Sequence, residues 1–299
     1  MSSKNNVLIT GASGGVGTAL TKALDEAGWR VFAGVRSPQA AARVEQLGAD
    51  VTAVQLDITD DESIRRAAAT VAGEVGGQGL AGLVNNAGII VQGPLELVPV
   101  HALRRQFEVN VIGQIAVTQA FLPMLRRGGG NLVNMGAATG RVTVPMLGPI
   151  SASKTALESV TDALRMELKH QGVGVTIIEP GAMETAIFDK AAASVAADGY
   201  AGTEATQRLY AHALEAVAEL TAGQRTSPVD GVVETVVKAL SSGNPDARYV
   251  VGRDAGQLVM LRRFPQRMRD RLLMNTMGLR REAFHSNGAP EEQTAGAGA

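Results

Sequence analysis

The sequence predicts an α/β fold: one doubly wound parallel sheet with helices on both faces. Three observations predict it. Short β-branched runs alternate with segments of helical length from residue 7 to residue 252, the rhythm of a sheet built by crossover connections. Most of those runs are rich in Val, Ile and Leu without clean polar alternation, as expected of parallel strands buried on both faces. The first run also ends in a glycine-rich turn that leads directly into a helical segment.

In chain order, the strands are expected at residues 7–10, 30–34, 51–56, 80–85, 131–135, 173–179 and 248–252. Helices are expected at 17–27, 61–75, 100–127 and 151–171. In the last of these, Leu157, Val160, Leu164 and Leu168 recur at three- and four-residue steps, which makes one apolar stripe. Three regions depart from the rhythm. Residues 186–225 read as an Ala-rich helical insertion after the sixth strand. Residues 253–285 form an Arg-rich extension. Residues 286–299 lack apolar content and are expected to be disordered. The whole reads as a single domain over residues 1–285.

Composition excludes several classes of function. The chain has 299 residues, 45% of them hydrophobic, enough to bury a large core. Aromatic residues make up only 3% and net charge is −1, so neither stacking on nucleic acid nor a global field for polyanions is expected. There is no Cys, which removes disulfides, thiolate metal sites and a thiol nucleophile together. The four His (His101, His170, His212 and His285) are widely spaced, so no metal site is expected. Residues 1–6 are short and polar, and no apolar run reaches the ~18 residues of a membrane span. A cytoplasmic protein is the expectation.

The turn after the first strand reads Thr10-Gly11-Ala12-Ser13-Gly14-Gly15-Val16-Gly17. Such a turn is either a plain strand–helix connection or a phosphate cradle, in which a helix N-terminus offers free N–H groups to a pyrophosphate. Its Thr-Gly-x-x-x-Gly-x-Gly spacing resembles that of the short-chain dehydrogenase/reductase family, and further segments agree in order. They are Asp57-Ile58 after the third strand, Asn85-Asn86-Ala87-Gly88 after the fourth, Asn110 on the following helix, Lys154, and Pro180-Gly181 followed by Thr185. The resemblance is to the branch that includes retinol, hydroxysteroid and hydroxybutyrate dehydrogenases. It implies a Rossmann-type fold and a dinucleotide held by Thr10, Gly11, Ser13, Gly14, Gly15, Val16, Gly17, Asp57, Ile58, Asn86, Ala87, Gly88, Lys154, Pro180, Gly181 and Thr185. It also implies a homodimer or homotetramer. After the second strand, Val35 stands where an acidic residue would bind a ribose 2′-hydroxyl, and Arg36 follows. A guanidinium there either pairs with a 2′-phosphate or is a solvated surface group. The first reading favours NADP(H) over NAD(H).

The resemblance also implies a Ser and a Tyr that handle the proton at the substrate oxygen. Their places hold Ala137 and Ile150, while Asn110 and the helix residue Lys154 are kept. Asn110 is expected to support the lysine through water. A positioned general acid contributes ~10²–10⁴-fold, and cofactor proximity supplies as much or more. Hydride transfer therefore survives the loss in weakened form. Ser151, Thr139, Tyr200, Tyr210, His101 and His212 are the substitutes at hand. Three functions stay open: an atypical oxidoreductase on a small lipophilic carbonyl, alcohol or alkene; a non-redox enzyme of isomerase or cyclase type; and a binding module without turnover. Between Arg253 and Arg281 stand eight Arg against Asp254 and Asp270, interleaved with Leu and Met. This segment reads as a helix pair that closes the substrate pocket, as a peripheral membrane contact, or as an oligomer contact.

Overall fold

The computed structural model describes residues 5–222, 226–279 and 281–284. The expectations for residues 1–4, for the end of the insertion at 223–225, and for the tail at 286–299 fall outside those residues. Seven strands form one parallel sheet: β1 (Asn6–Ile9), β2 (Arg30–Val35), β3 (Val51–Gln55), β4 (Gly82–Asn85), β5 (Asn131–Met135), β6 (Gly174–Pro180) and β7 (Arg248–Val251). Their order is β3-β2-β1-β4-β5-β6-β7. The chain winds outward in one direction through β3 and in the other from β4, so a crevice opens beyond the C-terminal ends of β1 and β4.

Alternate side chains of each strand serve opposite layers. Val7 and Ile9 pack with Leu20 and Leu24 of α1 (Gly15–Glu26), while α2 (Pro38–Val44) adds Ala40 and Val44 to the same layer. Leu8, Phe32, Leu83 and Leu132 face the other way, with Val71 and Val75 of α3 (Asp61–Val75). Helix α3 begins where the Asp60 carboxylate accepts from Glu62 N at 3.0 Å, and Asp61 and Glu62 complement its dipole.

The helix expected at 100–127 is not continuous. It comprises α4 (Val100–Phe107), a π-helical turn at Glu108–Ile112 and α5 (Gly113–Gly128). The cause is side-chain chemistry. Gln106 Oε1 accepts from Val91 N at 2.6 Å, and Asn110 Oδ1 accepts from Ile89 N at 2.9 Å. These amides tie the turn to the segment after β4, and such π-helical turns commonly mark functional sites. Within α5, Val117, Phe121 and Leu125 are fully buried, each worth about 1.5–3 kcal/mol relative to exposure.

After β5 come the short α6 (Ala138–Arg141) and the long α7 (Gly148–Leu168). After β6 come α8 (Ile187–Asp198) and α9 (Glu204–Ala222), which occupy the expected insertion, and then α10 (Asp230–Ser241) returns to the sheet. Beyond β7, α11 (Arg253–Met260) and α12 (Gln266–Thr276) supply the helix pair expected in the Arg-rich segment. Strand β7 departs from the expectation of burial on both faces. It lies at one edge of the sheet, and Val250 is 41% exposed.

Candidate active site

A cavity of about 2030 Å³ runs across the C-terminal edge of the sheet, from the glycine turn to the helices of the insertion and the C-terminal pair. At one end, Ser13, Gly14, Gly15, Val16 and Gly17 line it with the first turn of α1. Gly14 precedes that helix and no side chain caps it, which leaves N–H groups of the first turn for a ligand. The turn is closely built, since a Cβ on Gly17 would lie 2.3 Å from Gly11 O. Arg36 and Asp57-Ile58 line the same end. So does Arg43, which was not singled out from the sequence. It stands seven residues beyond Arg36, and only the fold of β2 onto α2 brings the two guanidiniums to one rim. Neither engages an ion pair among the described residues. The Asp57 carboxylate accepts from Thr59 N at 2.9 Å and from Thr59 Oγ1 at 2.7 Å.

Asn86, Ala87 and Gly88 line the middle of the cavity. Thr10 does not line it. Its hydroxyl accepts from Asn86 N and Ala87 N, each at 3.0 Å, and so fixes the strand ends against each other. Pro180, Gly181 and Thr185 form the facing wall. The Asp254 carboxylate accepts from Ala182 N at 2.7 Å and holds this loop. Thr185 Oγ1 is buried without a hydrogen-bond partner, and its methyl group would touch a Cβ placed on Gly15 at 2.8 Å.

Lys154 lies deeper, on α7. It is buried, and Nζ donates to Met135 O at 2.5 Å. Burial pushes its pKa down from 10.5 to about 8, because the charged form loses hydration. Asn110 is not a cavity residue. Besides its contact with Ile89 N, its Nδ2 donates to Ile89 O at 2.9 Å and to Ser153 Oγ at 3.3 Å. Its amide therefore shapes the backbone beside Gly88, close to the Lys154 ammonium, and makes no direct hydrogen bond to it. Gln106, also missed from sequence, does the same one turn earlier, donating to Ile89 O at 3.0 Å and Ser153 Oγ at 3.1 Å.

Ala137, Thr139, Ile150 and Lys154 line the cavity together. The lining also includes the apolar Val144, Leu147, Leu214, Val217, Leu258 and Leu273, with Gln92, Arg105 and Thr276 among the polar residues of the same cavity. Tyr200 lines this end as well. Its ring lies against Gly93, where φ is +129° and a Cβ would come within 3.1 Å of Tyr200 Cε1, so the seat requires glycine. Gly93 N in turn donates at 2.7 Å to the carbonyl of Met146, four residues before Ile150. Met146 is the one non-glycine residue with positive φ (63°) among the described residues. The backbone on either side of Tyr200 is pinned. Arg105 bridges Asp198 at 2.5 Å and holds its carboxyl down to about 2, and Ala201 N donates to Leu97 O at 2.7 Å.

Of the other proposed substitutes for the acid, Thr139 lines the cavity and the rest lie elsewhere. Tyr210 OH donates to Glu96 at 2.7 Å outside the cavity. His101 and His212 are exposed beside Asp198 and Glu215. Ser151 is fully buried and is not a lining residue.

Behind α7 lies a cluster of charges. Glu179, fully buried, pairs with Arg248 and, at 3.5 Å, with Arg141. Glu158 lies 3.2 Å from Arg248 and 3.8 Å from Arg141. Burial, reinforced by the Glu179 charge and opposed by the two arginines, raises the Glu158 carboxyl to about 7.

A parallel sheet with this winding, a glycine turn opening α1 and a lysine of α7 in the crevice define a dinucleotide-type α/β protein. Residues 5–196 match the short chain dehydrogenase family model, and the chain belongs to that family. It is 35% identical over 250 residues to the NADPH-dependent 3-dehydrocapnine reductase of Ornithobacterium rhinotracheale, covering 82% of this chain and 87% of that one. It is 40% identical over 187 residues to the 3-amino-tetrahydro-pyrrolizinone reductase of Xenorhabdus hominickii, a match spanning 62% of this chain and 64% of the relative. Mouse estradiol 17-beta-dehydrogenase 2 is 34% identical over 264 residues, 83% of this chain and 68% of that one. Among solved structures, a short-chain dehydrogenase from Burkholderia cenocepacia in complex with NADP superposes with a TM-score of 0.71 at 28% identity, over 90% of this chain and 98% of that one.

Proposed function

We propose that this protein is an NADP(H)-dependent oxidoreductase that reduces a lipophilic carbonyl compound, with Tyr200 in place of the family's usual tyrosine. One observation carries the reading. A single cavity joins two arginines that make no ion pair among the described residues and a glycine-turn helix terminus to a largely apolar stretch that includes Tyr200, with Lys154 in the same lining. The residues fit the cofactor. The orphaned Thr185 hydroxyl supports this, since it lacks a partner that a carboxamide would supply. So does the uncapped first turn of α1.

When bound, the nicotinamide nucleotide supplies the hydride. Arg36 and Arg43 would hold a 2′-phosphate by charge. The N-terminus of α1 would hold the pyrophosphate. Lys154 keeps its ammonium in a dry site, ready to bind ribose hydroxyls. Ala137 and Ile150 stand at the places of the family's Ser and Tyr, so neither can donate to a substrate oxygen. Tyr200 can, since its phenol stays neutral at physiological pH, its pKa raised by burial. A neutral phenol gives a hydrogen bond, and then a proton, to an oxygen gaining negative charge, and water at the cavity mouth restores that proton.

The test is NADPH oxidation followed with a panel of hydrophobic ketones and aldehydes, estrone and retinaldehyde included. Turnover is expected, falling about 10²–10⁴-fold in Tyr200→Phe with KM little changed. Ile150→Tyr combined with Ala137→Ser is expected to raise kcat and to make it independent of Tyr200. Loss of both hydroxyls also favours a second reading, a binding module. Tight nucleotide binding with no turnover by the wild type, but turnover by the double variant, would establish that reading instead.

A further inference from the structure

The outer face of the C-terminal helix pair has a chemistry that the redox reading does not use. Met260, Phe264, Met268 and Leu272 are 57%, 40%, 48% and 39% exposed. They recur at every fourth residue, from the end of α11 through the connecting turn and along α12. On α12, Met268 and Leu272 form one row, and Arg267 and Arg271 run beside it. Arg262 and Arg263 fill the 3₁₀ turn between the helices. All four arginines are exposed, and among the described residues none makes an ion pair, whereas Arg269 lies beside Asp270. The chain as a whole carries a net charge of only −1, so this positive field is local. The inner face of the same helices sends Leu258, Leu273 and Met277 into the cavity wall.

We propose that this face docks on an anionic lipid surface, with the four apolar side chains entering the acyl boundary and the arginines at the lipid phosphates. A row of large apolar groups left in water marks a contact surface. Flanked by cations on a short helix, it has the composition of a segment that lies in a membrane interface. No described helix is long and apolar enough to cross a membrane, so the contact is peripheral. A second copy of the chain is a poor occupant. In a two-fold contact the same patch meets itself, which would set one cluster of four arginines against another of the same charge. Docking would also set the wall of the apolar chamber against the acyl chains, a direct route for a lipophilic substrate. The docking itself does not depend on the redox reading and needs no nucleotide.

The experiment is co-sedimentation of the full chain with sucrose-loaded vesicles, either phosphatidylcholine alone or phosphatidylcholine with phosphatidylglycerol, at low and high salt. Binding to the phosphatidylglycerol vesicles alone, weakening as salt rises, is expected. Each arginine near the surface is worth about fivefold in partitioning. The pair Arg262→Gln and Arg263→Gln should therefore lower the partition coefficient about 30-fold. The pair Phe264→Ser and Met268→Ser should lower it in both salts, which an ion-exchange effect would not do. These side chains are exposed, so the thermal transitions should stay in place. Equal sedimentation with both vesicle types, none with either, or no effect of either pair would overturn the proposal. Light scattering that shows a dimer dissociated by Phe264→Ser would assign the face to a second copy instead.

Discussion

Lys154 makes a quantitative test of the site without any substrate. Its ammonium is buried and its pKa falls from 10.5 to about 8. At about 1.4 kcal/mol per pH unit, the unliganded protein gives up about 3 kcal/mol to keep that charge at pH 7. Replacing it by methionine removes the penalty and also the bond to Met135 O, a loss of about 1 kcal/mol. The net gain for Lys154→Met is about 2 kcal/mol at pH 7. For a chain of this size that is a rise in Tm of about 3 °C. The sign with pH follows from proton counting. Between about 8 and 10.5 the unfolded chain holds a proton that the folded chain has lost, so wild-type stability gains with pH there. The penalty is complete below about 8 and gone above 10.5. Thermal unfolding of both proteins without nucleotide, from pH 7 to pH 10.5, should show the variant's advantage shrinking to nothing or turning into a deficit. A variant no more stable at pH 7, or an advantage constant with pH, would refute the picture of an uncompensated buried ammonium. The same variant should bind NADPH more weakly than wild type.

Two further outcomes follow from the charges. Arg43→Ala should weaken NADPH binding about tenfold or more while leaving NADH unchanged, measured by calorimetry; an equal loss for both would place Arg43 away from the 2′-phosphate. Glu158, raised to about 7 chiefly by burial, imposes a penalty that grows as pH rises from 4.5 to about 7. Relative to wild type, Glu158→Gln should therefore gain stability across that window, read by urea unfolding at pH 5 and pH 7.5, and a difference independent of pH would remove Glu158 as the titrating group.

Much of this was legible in the chain. Strand positions followed from short apolar runs, and each observed strand begins and ends within about two residues of its expectation. Residues such as Gly15, Asn86, Gly181 and Thr185 were brought to one cavity as their motif order implied. What escaped was set by tertiary contacts. Apolar periodicity cannot distinguish the π-helical turn at Asn110 from ordinary helix, because the amide bonds that hold it reach across to Ile89 and Val91. Arg43 belongs to no motif and reaches the rim only through the packing of α2 on the sheet. Tyr200 and Tyr210 were equivalent as candidates on one insertion. The fold places Tyr200 in the cavity lining against Gly93 and ties Tyr210 to Glu96 outside it.

The most direct test of the account is a calorimetric titration of the purified protein with NADPH and with NADH. Saturable binding of NADPH, tighter than NADH and weakened by Arg36→Ala, is the predicted result. Binding of neither nucleotide would contradict the account, because the glycine turn, the two arginines and the Thr185 hydroxyl would then have no ligand in common.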